Sequence, residues 1–223
     1  MKRPFVFINM AMSADGKIAT HTGEGSFGSR TDHKNLLALR DKANAILTGA
    51  GTVNAQPEVT LGPGPRSKMN PPLRVIASGR GNLDLGHKIF RSKGAPILIL
   101  TTDRIPAKTQ KALEAKADVW VCGEKTIDFK RALERLRGEH RVKRLVCEGG
   151  GMLNDALLRA GVVDEVNLTI CPLLIGGKSA PTIADGLGME RLAAAKKFEL
   201  KSKKQVKDEL FLVYRAVNRR AKT

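Results

Sequence analysis

Short apolar runs alternate with helical patterns along most of the chain, and this alternation constrains the fold more than any other feature. The runs suited to buried strands are 5–10, 45–48, 73–77, 96–100 and 118–122. One helix is predicted from its candidate N-cap Asp32 through Lys42. Two others are predicted at 106–115, with Pro106 in the first turn, and at 129–137, after Asp128. Strands that alternate with helices predict an α/β fold with a mostly parallel twisted sheet.

The end of the chain has a different pattern. A helix is predicted over 153–160, and residues 165–171 alternate with a period of two. Two strand-like segments, 197–203 and 209–217, are separated by a polar turn, which is typical of an antiparallel hairpin. Because no segment has the composition of a linker, we expect residues 1–223 to form a single domain, and the terminal hairpin distinguishes it from a plain doubly wound fold.

Composition favours a globular protein of a reducing compartment. The 223 residues are 42% hydrophobic, which is enough for one good core. Cys122, Cys147 and Cys171 lie in apolar runs, so they are expected to be small buried side chains and not a disulfide framework. No metal-ligand spacing, leader-like segment or membrane-spanning stretch is evident, and we expect a cytoplasmic protein.

The net charge of +17 raises the question of nucleic-acid binding. Aromatic residues make up only 4% of the chain, so platforms for base stacking are scarce. The basic residues are also spread over several predicted helices and not grouped in one block. We therefore expect solvated basic faces that attract anions in general, including a small phosphorylated ligand, and consider nucleic acid an unlikely partner.

Three glycine-bearing segments follow predicted strands: 47–53 (LTGAGTV), 76–80 (IASGR) and 148–154 (EGGGMLN). A strand that turns into a helix through glycines presents free amides at the positive end of the helix dipole, which suits a phosphate, although such a cluster can equally be a tight turn. Ligands of open α/β sheets bind beyond the carboxyl ends of the strands. The three segments could therefore line one crevice for a dinucleotide, with Arg80 as a candidate for the 2′-phosphate of NADP or an ordinary surface arginine.

The ordered set of motifs resembles a known family over nearly the whole chain. It comprises NMAMSADGKIA from residue 9, NAILTGAGTV from residue 44, RVIASG, EGGGMLN, VDEVNLTICP, GGKSAPT and the closing hairpin. This combination is similar to the pyrimidine reductase of riboflavin biosynthesis. The resemblance implies a dihydrofolate-reductase-like fold, a homodimer, and reduction by NADPH of the ribosyl group of a phosphoribosylaminopyrimidine. The zinc signature of the deaminase often fused to this reductase is absent.

The resemblance also implies site residues. Glu148 would face the pyrimidine, while Arg40 and Ser29 match positions near the ribose phosphate of the substrate. The cofactor-binding residues implied by the resemblance, or expected from the loop after the second strand, are Thr48, Gly51, Thr52, Ser78, Gly79, Arg80, Gly149, Gly150, Gly151 and Met152. The turn at 148–152 would thus hold the pyrimidine next to the cofactor. Holding the two reactants together is the main contribution of such an enzyme.

Asn9 and Asp15 bear on substrate and chemistry. Asn9 stands where the type acting on the deaminated substrate tends to carry lysine, and resembles the archaeal and fungal type that acts on the diaminopyrimidine. An amide both donates and accepts, which suits an exocyclic amine, although a strand Asn can also simply satisfy backbone groups. Reduction of the opened sugar requires a proton at its oxygen, and Asp15, Glu148 or the weaker candidate Lys17 could deliver it.

The segment 52–62 departs from the family pattern. It is one residue short, lacks a pair of aspartates, and has Gly62 where a phosphate-binding arginine is expected; Arg66 or Lys68 could replace that cation. Two alternatives therefore stand beside the riboflavin-pathway reductase. One is a diverged paralogue that reduces another pterin-like heterocycle, and the other is a non-catalytic basic protein that binds nucleic acid, whose binding would weaken steeply with salt.

Overall fold

The computed structural model describes residues 2–217, within which a nine-stranded sheet forms the centre. The strands are β1 (Phe5–Ser13), β2 (Ala45–Gly49), β3 (Leu73–Ala77), β4 (Ile97–Thr101), β5 (Asp118–Val121), β6 (Arg144–Cys147), β7 (Glu165–Cys171), β8 (Phe198–Val206) and β9 (Glu209–Ala216). Their order in the sheet is β5-β4-β3-β2-β6-β1-β7-β9-β8. All pairs from β5 to β7 are parallel, and β9 pairs antiparallel with both β7 and β8. The predicted α/β sheet with a C-terminal antiparallel hairpin is confirmed.

The helices connect the parallel strands. They are α1 (Arg30–Arg40), α2 (Ala50–Ala55), α3 (Lys88–Arg91), α4 (Ala107–Glu114), α5 (Phe129–Glu139) and α6 (Gly151–Arg159), and a short 3₁₀ turn spans Leu192–Ala194. Asp128 caps α5 as predicted. The predicted cap of α1 is wrong, because Ser29 accepts the amides of Thr31 and Asp32 and the helix begins three residues earlier than predicted. A serine is as good an N-cap as an aspartate, so the pattern alone did not separate them.

Two apolar clusters cover the two faces of the sheet. One contains Val6, Leu47 and Cys147 together with residues of α5 and α6. The other contains Phe7, Ile46 and Val146 together with residues of α1, α2, α3 and α4. Successive side chains of a strand point to opposite faces, and parallel strands covered on both faces are apolar throughout, as in the fully buried β4. We call the side of the second cluster the α1 face.

The long loop 62–72 is held against the C-terminus of α1, at Arg40 and Asp41. The Asp41 carboxylate accepts the amides of Arg66 and Ser67 and the Ser67 hydroxyl. The predicted hairpin of β8 and β9 is present, with a turn at Lys207 and Asp208. In the described range, no helix is both long and apolar enough to cross a membrane.

Candidate active site

A cavity of about 480 Å³ lies at the carboxyl ends of β1, β2 and β6 on the α1 face. Asn9, Thr48 and Glu148 contribute to its floor, Arg40 of α1 to one wall, and the glycines that open α6 to another. β2 and β6 end at this cavity in turns that their glycines permit, whereas β1 continues past Asn9 to Ser13. This is the edge at which an open α/β sheet binds its ligands.

Asn9, Glu148 and Thr48 form one row across three neighbouring strands. Ile8 and Leu47 both lie opposite Cys147, so the residues that follow them flank Glu148. The Glu148 amide continues the ladder by donating to the Leu47 carbonyl at 2.9 Å. Phe7, Ile46 and Val146 lie two positions earlier in these segments and belong to the α1 face. Because successive side chains of a strand alternate between the two faces, Asn9, Thr48 and Glu148 point to that same face. We call these three residues the polar row.

Glu148 is held by a bidentate ion pair with Arg40. The Arg40 Nε and Nη2 atoms donate to the two Glu148 carboxylate oxygens at 2.8 and 2.7 Å, and Nη1 donates to the Gly62 carbonyl at 2.8 Å. The two side chains are only 12% and 10% exposed. Burial disfavours the guanidinium charge, but the hydrogen bonds and charge of Glu148 outweigh it, and the pKa of Arg40 is raised. The carboxylate is therefore fixed in place with its remaining lone pairs available to a ligand.

The two outer members of the polar row lack partners. Within the described residues, neither the Asn9 Oδ1 nor the Thr48 Oγ1 atom makes a hydrogen bond, although both atoms are buried. An unsatisfied buried polar atom costs about 1–3 kcal/mol, so such atoms at a cavity are explained by a ligand or water that supplies the missing bond. The floor thus offers Asn9 and Glu148 as acceptors and the Thr48 hydroxyl as donor or acceptor.

The glycines before α6 have different roles. A Cβ on Gly149 would collide with the Leu153 side chain, and one on Gly151 with the Thr182 carbonyl and Asp185, so these two glycines permit internal packing. Gly150 donates its amide to the Thr52 hydroxyl at 3.1 Å. In the described structure, the amides of Gly151 and Met152 have no acceptor, as expected for the first turn of a helix. The expected anion site therefore consists of these two amides, and not of the amides of all three glycines.

A second cavity, of about 720 Å³, lies on the other side of the α6 N-terminus. Its walls come from Ser78, Gly79 and Arg80 after β3, from the loop after β5, and from α6. The two cavities share Gly49, Gly51, Met152 and Leu153 in their linings. The glycine-bearing segments after β2, β3 and β6 thus border one cleft. This cleft consists of the two cavities and runs past the N-termini of α2 and α6.

Comparison with known proteins identifies the family. The RibD C-terminal domain matches residues 4–212. This chain belongs to that family. It is 34% identical over 213 residues to the 2,5-diamino-6-ribosylamino-4(3H)-pyrimidinone 5′-phosphate reductase of Methanothermobacter thermautotrophicus, covering 95% of this chain and 98% of the relative. The protein of the same name from Aquifex aeolicus is 33% identical over 201 residues, which is 86% of this chain and 87% of the relative.

Solved structures show that the RibD-type fold is shared. RibD of Acinetobacter baumannii superposes with a TM-score of 0.80 at 24% identity, and covers 96% of this chain. This chain spans 58% of the length of that protein. Rib7 of Saccharomyces cerevisiae, named as a riboflavin biosynthesis reductase, has a TM-score of 0.73 at 22% identity, with 96% of this chain and 90% of that chain covered. The dihydrofolate-reductase-like fold expected from the sequence is confirmed.

In this RibD-type domain, two predicted proton donors lie away from the cleft. The Asp15 carboxylate accepts the Ser13 hydroxyl at 2.5 Å and the amides of Ile175 and Gly176 at 3.1 and 2.7 Å, and these bonds, led by that of Ser13, lower its pKa to about 2. Lys17 donates to the Ala180 carbonyl at 3.0 Å. Neither residue lines the first cavity. The structure argues against Asp15 as proton donor, because an ionised carboxylate committed to loop amides has no proton to give.

The residues expected near the substrate phosphate are only partly brought together. Ser29 caps α1 and donates its hydroxyl to Glu209 at 2.5 Å, and it does not line the first cavity. Arg66 and Lys68, the candidate replacements for a cation at Gly62, also lie outside its lining. Arg40 is present in the wall, but as the partner of Glu148. Within the described lining of the first cavity, Arg40 is the one cationic side chain.

Sequence reasoning missed part of the second cavity. Asn82, Lys125 and Arg159 contribute to its lining. Asn82 lies two residues after the predicted segment Ser78–Arg80. The loop that carries Lys125 follows β5, and open α/β sheets bind ligands beyond the carboxyl ends of their strands, so this loop could have been predicted. Arg159, at the far end of α6, carries no sequence signal of this kind, since its position depends on how the helix packs.

Proposed function

We propose that the protein reduces the ribosyl group of 2,5-diamino-6-ribosylamino-4(3H)-pyrimidinone 5′-phosphate to a ribityl chain with NADPH, as a step of riboflavin biosynthesis. The family and the name shared by two relatives support this function. The observation that carries the proposal is the polar row, in which a fixed carboxylate lies between two buried side chains whose oxygens have no partner among residues 2–217.

The polar row suits the amino form of the pyrimidine. The free Asn9 Oδ1 atom requires a donor, and an exocyclic amine provides one where a carbonyl would not. The Glu148 carboxylate accepts further hydrogen bonds from ring or amino N–H groups. A ring bound across the row therefore satisfies atoms that are otherwise buried without partners, and the diaminopyrimidine satisfies more of them than its deaminated form.

The two-part cleft suits a dinucleotide cofactor. Met152 lines both cavities and Gly151 lines the first, and a helix N-terminus with free amides binds phosphate. Thr52, which accepts the Gly150 amide, still has its hydroxyl proton to donate. When bound, NADPH supplies the hydride. The protein's own contribution is to hold the reactants together and exclude water from the polar row.

Of the three candidates for delivering the proton, Glu148 lines the cavity and Asp15 and Lys17 do not. Its bidentate pairing with Arg40 presents Glu148 as an acceptor, so we assign it the orientation of the pyrimidine. A proton can still reach the sugar oxygen from water that Glu148 orients.

Turnover assays test the proposed function. The protein is incubated with NADPH and the diaminopyrimidine phosphate, its deaminated form or dihydrofolate, and cofactor oxidation is followed together with product mass. We expect oxidation with the diaminopyrimidine and a product two hydrogen atoms heavier. Oxidation with dihydrofolate alone would favour the diverged paralogue. Absence of NADPH binding with salt-sensitive binding of polynucleotide would overturn the proposal.

We further propose that the protein is a homodimer. Val166, Leu168 and Ile170 of β7 lie opposite Tyr214, Leu212 and Leu210 of β9, and all six side chains of this sheet face remain at least partly exposed. A contiguous apolar face of this kind is typical of a protein interface. Light scattering should give twice the chain mass for the wild type. Leu212→Glu, which places charges in the middle of the face, should give a monomer, and a monomeric wild type would contradict the proposal.

A further inference from the structure

A second carboxylate, that of Asp185, lines the first cavity and not the second. The other charged side chains in the described lining of the first cavity are Arg40 and Glu148, which compensate each other as an ion pair. Asp185 takes part in no ion pair with residues 2–217. The first cavity therefore holds one uncompensated negative charge, and it comes from a residue outside the polar row.

The Asp185 carboxylate is held in a fixed turn. The Thr182 hydroxyl donates to its Oδ1 atom at 2.7 Å, and the Thr182 amide donates to its Oδ2 atom at 3.0 Å. The turn itself is bound to α6, because the buried Asn154 side chain donates to the Ile183 carbonyl at 2.8 Å. An ionised carboxylate has about four acceptor sites, so these bonds leave room for further donors. A ligand in the cavity thus meets an acceptor that is already in place.

The carboxylate lies at the start of α6. It packs so closely on Gly151 that a Cβ there would collide with the Asp185 Oδ2 atom. A negative charge is stabilising near the positive end of a helix dipole. The same charge repels a phosphate in the first cavity, so a phosphate at the free amides of α6 belongs on the side of the second cavity, which Met152 also lines. The first cavity is left for uncharged groups that donate hydrogen bonds.

The substrate's sugar is such a group. With the pyrimidine across the polar row, the sugar attached to it occupies the rest of the first cavity. Its hydroxyl groups are donors, and carboxylates bind ribose hydroxyls in dinucleotide sites. We propose that Asp185 binds hydroxyl groups of the substrate's sugar, and that its charge directs the phosphate at the end of the sugar away from α6. The proposal rests on the proposed function, because it assigns the second half of the same substrate site.

Asp185→Asn tests the proposal with a small change. The amide keeps the size of the side chain and the Oδ1 acceptor of the Thr182 hydroxyl, while the charge is lost. Glu190→Gln is the matched control, since it removes an exposed charge from the same loop outside both cavities. We expect Asp185→Asn to raise KM for the diaminopyrimidine phosphate about tenfold, the worth of one charge-assisted hydrogen bond, with the dissociation constant of NADPH unchanged. The control should behave as wild type.

Calorimetry separates sugar binding from general damage to the site. The probes are the ribityl product and the triaminopyrimidinone that lacks the sugar. We expect Asp185→Asn to bind the product about tenfold more weakly and the bare pyrimidine as tightly as the wild type. In the wild type itself, a product analogue without the ribityl hydroxyls closest to the ring should show the same loss, which does not depend on how the variant folds. Equal losses for both probes in the variant, an analogue that binds as tightly as the product, or a loss confined to NADPH would overturn the assignment.

Failure of this proposal is separable from failure of the proposed function. If the wild type turns over the diaminopyrimidine phosphate and Asp185→Asn has an unchanged KM, the reaction stands and the role of Asp185 falls. If the product binds through Asp185 but no nicotinamide cofactor supports turnover, the sugar site stands and the proposed reaction falls.

Discussion

Arg40 and Glu148, 108 residues apart in the sequence, meet in a bidentate ion pair at the floor of the cleft. The sequence indicated both residues as substrate ligands. The structure shows that Arg40 fixes Glu148, so that one carboxylate is presented to the cavity in a defined orientation. The pair is nearly buried, and its loss should affect both folding and function, in ways that can be separated.

Removal of one partner of this pair should destabilise the fold. Arg40→Met leaves the Glu148 charge buried without compensation, and the expected loss in the free energy of unfolding is about 3–5 kcal/mol. The double variant Arg40→Met/Glu148→Leu should recover most of that loss, because no charge is then buried, yet remain inactive. Urea denaturation followed by circular dichroism measures both. A double variant no more stable than Arg40→Met would show that the pair is not coupled in this way.

Glu148→Gln should separate chemistry from cofactor binding. The amide keeps the size of the side chain but weakens its hydrogen bonds to Arg40 and to the pyrimidine, so turnover should fall about ten- to a hundredfold. The dissociation constant of NADPH, measured by fluorescence, should be unchanged, since the free amides of α6 are untouched. Equal losses in turnover and NADPH affinity would contradict the role given to Glu148.

Asp15 should govern acid stability and not catalysis. Its folded-state pKa of about 2 lies below the ordinary value of 3.8, so its stabilising contribution is complete above pH 3.8 and is lost as the pH falls through about 2. The difference in thermal midpoint between wild type and Asp15→Asn should therefore be constant at neutral pH and shrink over that acidic range. Near neutrality the two proteins should share one pH profile of kcat. If the pH profile of kcat lost its acidic or its basic limb in Asp15→Asn, Asp15 would be a proton donor after all.

Two glycine substitutions should have opposite effects on stability. Gly151→Ala forces a Cβ against the Thr182 carbonyl and Asp185 at the start of α6, with an expected cost of about 1–3 kcal/mol. Gly138→Ala on α5 meets nothing within 4 Å and should stabilise by about 0.5–1 kcal/mol through helix propensity. Denaturant titration measures both changes. A neutral Gly151→Ala would mean that the glycine serves the ligand and not the packing.

Much of the fold could be predicted from local patterns. The strands Leu73–Ala77 and Glu165–Cys171 have the predicted bounds, because each is a self-contained run bordered by turn residues. The order of strands could not be predicted in this way. The insertion of β6 between β1 and β2 depends on long-range pairing, and no local pattern encodes it. That insertion is what places Glu148 between Asn9 and Thr48.

The sequence alone determined the alternation of strands and helices, the family resemblance, and the residue types that border the cleft. The tertiary structure decided which of those residues act together. It committed Asp15 and Ser29 to the protein's own groups and joined Arg40 to Glu148. It also left the Asn9 and Thr48 side-chain oxygens without partners in the described part of the chain. The physical reason is that a side chain's chemistry is set by its hydrogen-bond partners and burial, and those come from segments distant in sequence.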